Sequence, residues 1–233
     1  MFGAIIVAAG AGMRMGGGIP KQFQNLNGKP VLIHTLGKFV CSAPLFQCIV
    51  VVIPPGSKDY CREILLASQL PPERVLLVEG GQERQHSVYK GLKQLSDEVE
   101  VVCIHDGVRP LVSVELVGKV AHEAGQKGAV IPAVPVKDTL KEVGKRDGHS
   151  EVVTGTLSRD RYRLIQTPQG FNRQIILKAY QKAREESCSA TDDAALVENL
   201  GVEVQVIPGE AVNIKLTTPE DVHWAEFMLK YRE

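Results

Sequence analysis

The sequence of 233 residues has no apolar run of 18 or more, so no membrane-spanning helix is expected. It has no charge excess, with Lys plus Arg and Asp plus Glu both at 27. That balance speaks against a strongly electrostatic nucleic-acid or membrane binder and leaves room for a local basic pocket. It has no basic leader. Met1 to Ala9 is apolar and runs straight into a glycine-rich stretch, as a buried first strand does and a signal peptide does not. It has no C-x-x-C pair, and its five cysteines (Cys41, Cys48, Cys61, Cys103 and Cys188) are scattered through apolar segments. Free thiols in a reducing compartment are expected rather than disulfides or zinc, and a bacterial cytoplasm is the natural home. No Gly-Lys-Ser/Thr triplet follows the glycines, which excludes a Walker loop. Met15 and Pro54-Pro55 stand where a dinucleotide fingerprint needs a small and an acidic residue, which speaks against an NAD-dependent reductase. No Ser-His-Asp or Cys-His constellation offers a covalent nucleophile.

What is present is an alternation of apolar runs and helical patterns. Strands are expected over Phe2–Ala9, Cys48–Ile53, Arg74–Val78, Val99–His105 and Gly128–Val134. Helices are expected from Pro30 to about Val40, from a Ser57 cap to Ala67, over Arg84–Leu95 and over Ser113–Gly125. The runs are near-continuous Val and Ile, the mark of strands covered on both faces. The fold class is therefore α/β, a Rossmann-like twisted, mostly parallel sheet with helices on both faces. Further on come a short strand near Leu164 and helices over Arg173–Glu186 and Asp192–Leu200. Strands over Glu203–Ile207 and Val212–Leu216 follow, and a last helix begins at Thr218-Pro219-Glu220.

The rhythm breaks at Val136–Ser158, where polar and β-branched residues alternate around Asp147-Gly148, a hairpin signal. A lone hairpin is marginal in water. Two readings stand: an arm that packs on a second subunit, or a mobile loop. Residues 1–233 are read as one domain in which 136–160 is an inserted arm, used to form a homodimer.

The segment from Ala8 to Phe23 sits at the carboxyl end of the first strand, where open α/β sheets bind ligands. Its glycines let backbone N–H groups approach phosphate, and Arg14 and Lys21 add positive charge. Ala8-Ala9-Gly10-Ala11-Gly12-Met13-Arg14-Met15 followed by Pro20-Lys21-Gln22-Phe23 resembles the nucleotide loop of 2-C-methyl-D-erythritol 4-phosphate cytidylyltransferases. Further blocks continue the resemblance in order: Gly80-Gly81 with Glu83-Arg84 and Ser87-Val88, His105-Asp106 with Arg109-Pro110, and Pro135-Val136 with Asp138-Thr139 and Arg159. Then come Gln166-Thr167-Pro168-Gln169, Thr191-Asp192, and Asn213-Ile214-Lys215 with Pro219-Glu220-Asp221.

The resemblance implies attack of a polyol phosphate on the α-phosphorus of CTP, with pyrophosphate leaving. A phosphate monoester is largely dianionic at neutral pH and needs no protein base. The reaction needs charge neutralisation and in-line positioning. Arg14, Lys21, Arg159 and Lys215 are the catalytic candidates that the resemblance supplies. Ala8, Ala9, Gly10, Ala11, Gly12, Gly81, Arg84, Ser87 and Asp106 are expected at the nucleotide. Arg109, Thr139, Arg159, Thr167 and Lys215 are expected at the second substrate, with Thr139 and Arg159 reaching in from the partner's arm. Asp106 is read as a Mg2+ ligand, or else as a cap of the loop before Ser113. Arg109 either pairs with Asp106 or meets phosphate. His105 is read as structural. The alternative for Lys21 is a solvated loop lysine, against which its place between Pro20 and Gln22 beside a glycine run speaks, and Lys215 reads as a buried lysine in need of an anion.

The sequence departs from the family at Val212, where an acidic residue is common, so that Asp106 carries more or Glu210 substitutes. The run Gly16-Gly17-Gly18 is expected to order with nucleotide. A ribitol 5-phosphate cytidylyltransferase shares the glycine loop and the Asn-Ile-Lys block and is the rival enzyme. A nucleotide-binding regulator without catalysis is the rival from another class.

Overall fold

The computed structural model describes residues 1–10, 19–42, 45–146 and 150–231. The first half is a run of strands each followed by a helix: β1 (Phe2–Val7), α1 (Val31–Cys41), β4 (Phe46–Ile53), α2 (Lys58–Ala67), β5 (Val75–Glu79), α3 (Arg84–Leu92), β6 (Val101–Asp106), α4 (Val114–Lys127) and β7 (Ala129–Pro135). A two-residue ladder, β2 (Asn25–Leu26) with β3 (Lys29–Pro30), lies between β1 and α1. After β7 come β8 (Leu140–Arg146), β9 (Ser150–Leu157), β10 (Arg163–Ile165), β11 (Gln169–Asn172), α5 (Arg173–Glu185), α6 (Asp193–Glu198), β12 (Gln205–Pro208) and α7 (Pro219–Lys230).

The main sheet is mixed and mostly parallel. β1 pairs in parallel with both β4 and β6, and β4 with β5. β11 is wedged antiparallel between β6 and β7, and β12 lies parallel to β7. Period-2 alternation divides the apolar side chains between two faces. Ala4 and Ile6 of β1, with Ile49, Val51 and Ile53 of β4, pack under α1, α2 and α4. Ile5, Val50, Val52, Val102 and Ile104 face the other way, toward α3, α5 and α6. A smaller cluster of Leu26, Val31, Leu111, Leu216 and Ala225 seats α7.

Helix ends follow local chemistry. Ser113 caps α4 by accepting from the Leu116 N–H, and Gly128 ends it at φ 85°. Asn172 caps α5, and Thr218 and Asp221 form a reciprocal capping box on α7 with Pro219 in the first turn.

Several expectations need correction. Pro30 is extended and belongs to β3, so α1 starts one residue later. Ser57 precedes α2, but its hydroxyl donates to the Pro54 carbonyl and caps nothing. Helix α3 stops at Leu92. Residues 212–216 form no strand. The chain turns there, with Asn213 N donating to Glu210 O and Leu216 N to Val108 O, while side chains take the Asn213 carbonyl. Lys215 is consequently not buried within a strand, and its side chain is 43% exposed.

The hairpin is present as expected, registered from Leu140 opposite Leu157 to Arg146 opposite Ser150. Its Asp147-Gly148 turn lies outside the described residues. Among the described residues β8 and β9 pair only with each other, and Val143 and Val153 are exposed.

Two glycines on the two sides of α4 test the packing. A Cβ on Gly170 of β11 would sit 2.8 Å from Val120 Cγ1, 2.9 Å from Ala124 Cβ and 3.0 Å from the Val120 carbonyl, whereas one on Gly118 of α4 meets nothing within 4 Å. Gly170→Ala is expected to destabilise the protein by about 1–3 kcal/mol. Gly118→Ala is expected to stabilise it by about 0.5–1 kcal/mol through helix propensity. Urea midpoints of the two variants measure both.

Candidate active site

The carboxyl ends of the central strands finish level. Val7 is in register with Val52 on one side and Asp106 on the other. Short backbone bonds carry the chain past these ends: Ala8 N to Val52 O at 2.7 Å, Gly80 N to Ile53 O at 2.8 Å and Gly107 N to Val7 O at 2.8 Å. Beyond them opens a cleft of about 670 Å³, within the range that holds a nucleotide-sized ligand. Its walls include Ala8, Ala9, Gly10, Lys21, Gly81, Arg84, Ser87, Asp106 and Lys215. Nine residues singled out from the sequence thus share one cavity. Ala11, Gly12 and Arg14, and the Gly16-Gly17-Gly18 run, lie outside the described residues.

One wall is the start of the glycine loop. Gln22 is buried, and its amide donates to the carbonyls of Ala8 (2.7 Å) and Gly10 (3.0 Å). That anchor ties the 3-10 turn over Lys21–Phe23 to the end of β1. Lys21 itself reaches the Leu216 carbonyl at 3.5 Å and lines the cleft.

The opposite wall is built on Gly80 and Gly81. A Cβ on Gly80 would come within 2.4 Å of the Ala9 Cβ, and one on Gly81 within 2.5 Å of the His86 Cβ, so side chains are excluded there by contact. Ser87, a buried residue of α3, accepts from the Gly81 N–H at 3.0 Å and donates to the Glu83 carbonyl at 3.1 Å. Its hydroxyl therefore shapes this wall.

At the centre is Asp106, only 6% exposed. Its Oδ1 faces Arg84 Nε at 3.4 Å, and its Oδ2 faces Lys215 Nζ at 3.0 Å and Arg109 Nε at 3.4 Å. Burial alone would raise its pKa. The opposing pull of Arg84, Lys215 and Arg109 holds it instead well below the usual carboxylate range. Arg109 is therefore paired with Asp106, and its Nη1 also donates to the Asn213 carbonyl at 2.8 Å.

Behind Asp106 the contacts are structural. Its N–H donates to Thr167 Oγ1 at 3.1 Å, and that hydroxyl lies 3.0 Å from His105 Nδ1. His105 is fully buried, and burial pushes its pKa down to about 3, so the ring is neutral. Its Nε2 is left to face the Arg109 carbonyl at 3.3 Å. The structural reading of His105 fits, and Thr167 stands on the same side, bonded to Asp106.

Glu210 does not join Asp106 in place of the acid missing at Val212. Its carboxylate accepts from the Ser113 N–H at 3.1 Å and from the Ser113 hydroxyl. Among the described residues no group of three His, Cys, Asp or Glu is gathered for a metal. Of the two carboxylate residues that line the cleft, Glu83 and Asp106, Asp106 stands at the strand end beside Lys215 and is able to meet Mg2+, which commonly takes one or two carboxylates and completes its shell with phosphate and water. The donor set fits a cation that arrives with a polyphosphate.

Thr139 and Arg159 lie away from this cleft on the same chain. Both are exposed on or beside the arm, and Arg159 Nη1 donates to the Lys137 carbonyl.

Sequence reasoning missed four side chains. Asp193 accepts two bonds from Arg84, and Tyr180 donates to Asp193. Asn213 is fully buried and donates to the Thr167 carbonyl at 2.8 Å, while Gln166 donates to the Glu210 carbonyl at 2.7 Å. Asn213 and Gln166 stood inside recognised blocks. Asp193 and Tyr180 carried no signal beyond their helices.

The family model of 2-C-methyl-D-erythritol 4-phosphate cytidylyltransferase matches residues 2–231. The chain belongs to this family. A 2-C-methyl-D-erythritol 4-phosphate cytidylyltransferase of Syntrophus aciditrophicus is 47% identical over 231 residues, covering 99% of this chain and 96% of the relative. The crystal structure of the 4-diphosphocytidyl-2C-methyl-D-erythritol synthase of Anaerococcus prevotii superposes with a TM-score of 0.84 at 34% identity, covering 98% of this chain and 96% of that one. The cytidylyltransferase of Thermus thermophilus gives 0.78 at 32% identity, over 97% and 98%. The sheet and its flanking helices are thus those of a cytidylyltransferase, and the family assignment does not favour the ribitol phosphate alternative. No helix among the described residues is long and apolar enough to cross a membrane.

Proposed function

We propose that the cleft binds CTP and that the enzyme transfers its CMP moiety to 2-C-methyl-D-erythritol 4-phosphate, giving 4-diphosphocytidyl-2-C-methyl-D-erythritol and pyrophosphate for isoprenoid precursor synthesis. The observation that carries this reading is the cleft wall, where Lys21, Arg84 and Lys215 converge with Asp106 and with Gly81, a position that excludes a side chain. Counting Glu83, Asp106 and Asp193 against Arg84, Arg109, Lys21 and Lys215, cations outnumber anions by one. Such a surplus receives a polyphosphate and steadies the charge that builds as pyrophosphate leaves.

In this reading the Gly81 wall and Ser87 hold the base and ribose. Lys21, with Arg14 of the glycine loop, meets the α- and β-phosphates. Lys215 sits beside the α-phosphorus from the other side and holds the attacking phosphate, with Arg109 behind it. The attacking oxygen is already ionised near neutral pH, so the residues position and neutralise and remove no proton. Mg2+ would be held by Asp106 together with triphosphate oxygens. When bound, it draws charge from the triphosphate.

The chain is read as one domain with residues 136–160 as its arm. The exposed valines of β8 and β9 support the arm as the contact of a homodimer, and Thr139 and Arg159 then enter the partner's cleft to hold the polyol phosphate. A bacterial cytoplasm suits the free thiols and the substrates.

Two measurements test this. With CTP and Mg2+, pyrophosphate release is expected with 2-C-methyl-D-erythritol 4-phosphate and not with ribitol 5-phosphate, and Lys21→Ala is expected to lower turnover about 10²–10³-fold. Release with neither phosphate contradicts the reading. Co-expressed Lys21→Ala and Arg159→Ala chains test the arm. If the arm completes the partner's site, half the dimers carry one intact site, and about a quarter of wild-type activity returns from two inactive parents. Activity no higher than the average of the parents removes the arm from the site.

A further inference from the structure

The guanidinium of Arg84 stands between two acids. It reaches Asp106 by one long contact, 3.4 Å from Nε, on the cleft side. It reaches Asp193 by two short parallel bonds, Nη1 to Oδ1 at 3.0 Å and Nη2 to Oδ2 at 2.7 Å. Fork-to-fork pairing of this kind fixes the plane of an arginine as well as its position. Asp193 is fully buried, at the first residue of α6, and its Oδ1 also accepts from the Tyr180 hydroxyl. Tyr180 is only 1% exposed, on α5, and stacks on Tyr89 with ring centroids 6.2 Å apart.

The acid is itself held. The neighbouring Asp192 accepts from Gln169 Nε2 at 2.8 Å, and Gln169 Oε1 accepts from Ala194 N at 3.0 Å. The start of α6 is thus bound to β11 from both sides of Asp193.

A buried carboxylate is costly unless paired, and here the pairing is with a residue of the cleft wall. Without Asp193, the strongest acceptor within reach of Arg84 is Asp106, and a two-pronged bond there would turn the guanidinium across the carboxylate that faces the nucleotide. We propose that Asp193, steadied by Tyr180, is a positioning residue. It holds Arg84 flat against the cleft wall, in the orientation that CTP meets, and keeps it from closing over Asp106. The proposal rests on the reading of the cleft as the CTP site.

Calorimetric titration of CTP and Mg2+ into the full-length protein tests it, with steady-state kinetics alongside. Asp193→Asn is expected to weaken CTP binding about tenfold, as the loss of a charge-assisted bond to a binding residue does. KM for CTP rises by a similar factor, while KM for the polyol phosphate stays within about twofold. Tyr180→Phe, which removes only the hydroxyl and retains the packed ring, is expected to weaken CTP binding about two- to fivefold. In an Arg84→Ala background, Asp193→Asn is expected to add nothing, because both residues act through the same guanidinium. A merely structural role predicts instead a lowered melting temperature and a similar loss for both substrates in either background. That outcome overturns the proposal, as does unchanged CTP affinity in both Asp193→Asn and Tyr180→Phe. If Asp193→Asn does not fold, Tyr180→Phe decides. Absence of CTP binding by the unaltered protein contradicts the reading of the cleft itself, whereas normal binding that both variants retain removes only the positioning role.

Discussion

A carboxylate buried at the end of a strand must find positive neighbours or give up its charge. At the end of β6, Asp106 finds three, and each is delivered by a different part of the chain: Arg84 from α3, Arg109 from the loop after β6, and Lys215 from the irregular segment before α7. Holding those segments together around one ionised group makes the cleft. The supporting bonds point the same way. Thr167 fixes the Asp106 N–H, Asn213 ties the Lys215 segment to Thr167, and Arg109 returns to the Asn213 carbonyl.

Such a cluster is a poor source of stability, since buried ion pairs roughly balance attraction against lost hydration. It serves function better. Donors and charges already oriented need no rearrangement when charge develops on a transferring phosphoryl group. The apolar layers on both faces of the sheet supply the stability that lets the cluster persist. Division of labour follows from the topology: helices cover the faces, and the carboxyl edge is left for ligands.

Much of this was legible in the sequence. Near-continuous Val and Ile runs gave the parallel strands because both faces of the sheet are covered, and the helices expected from Ser113 and Thr218 do begin at those residues, which cap them. The blocks at Ala8, Gly80, His105 and Lys215 converge on one cleft because each follows or approaches a strand end. Residues 212–216 read as a strand because their pattern is apolar. They are not one because their carbonyls and N–H groups are taken by Arg109, Gln166 and Val108. The short β11 was hidden for a related reason: its Gly170 has no side chain to signal burial, and its place is set by close approach to α4. Asp193 was illegible because its partner Arg84 lies 109 positions away, and no local pattern links an acid at a helix start to a distant arginine.

The most direct test of the central role of Asp106 is pyrophosphate release from CTP and 2-C-methyl-D-erythritol 4-phosphate by Asp106→Asn, a change that keeps the shape of the side chain and removes its charge. The account predicts a folded protein, by near-ultraviolet circular dichroism, with turnover reduced by about 10² or more. A folded variant with turnover close to that of the unaltered enzyme would contradict it.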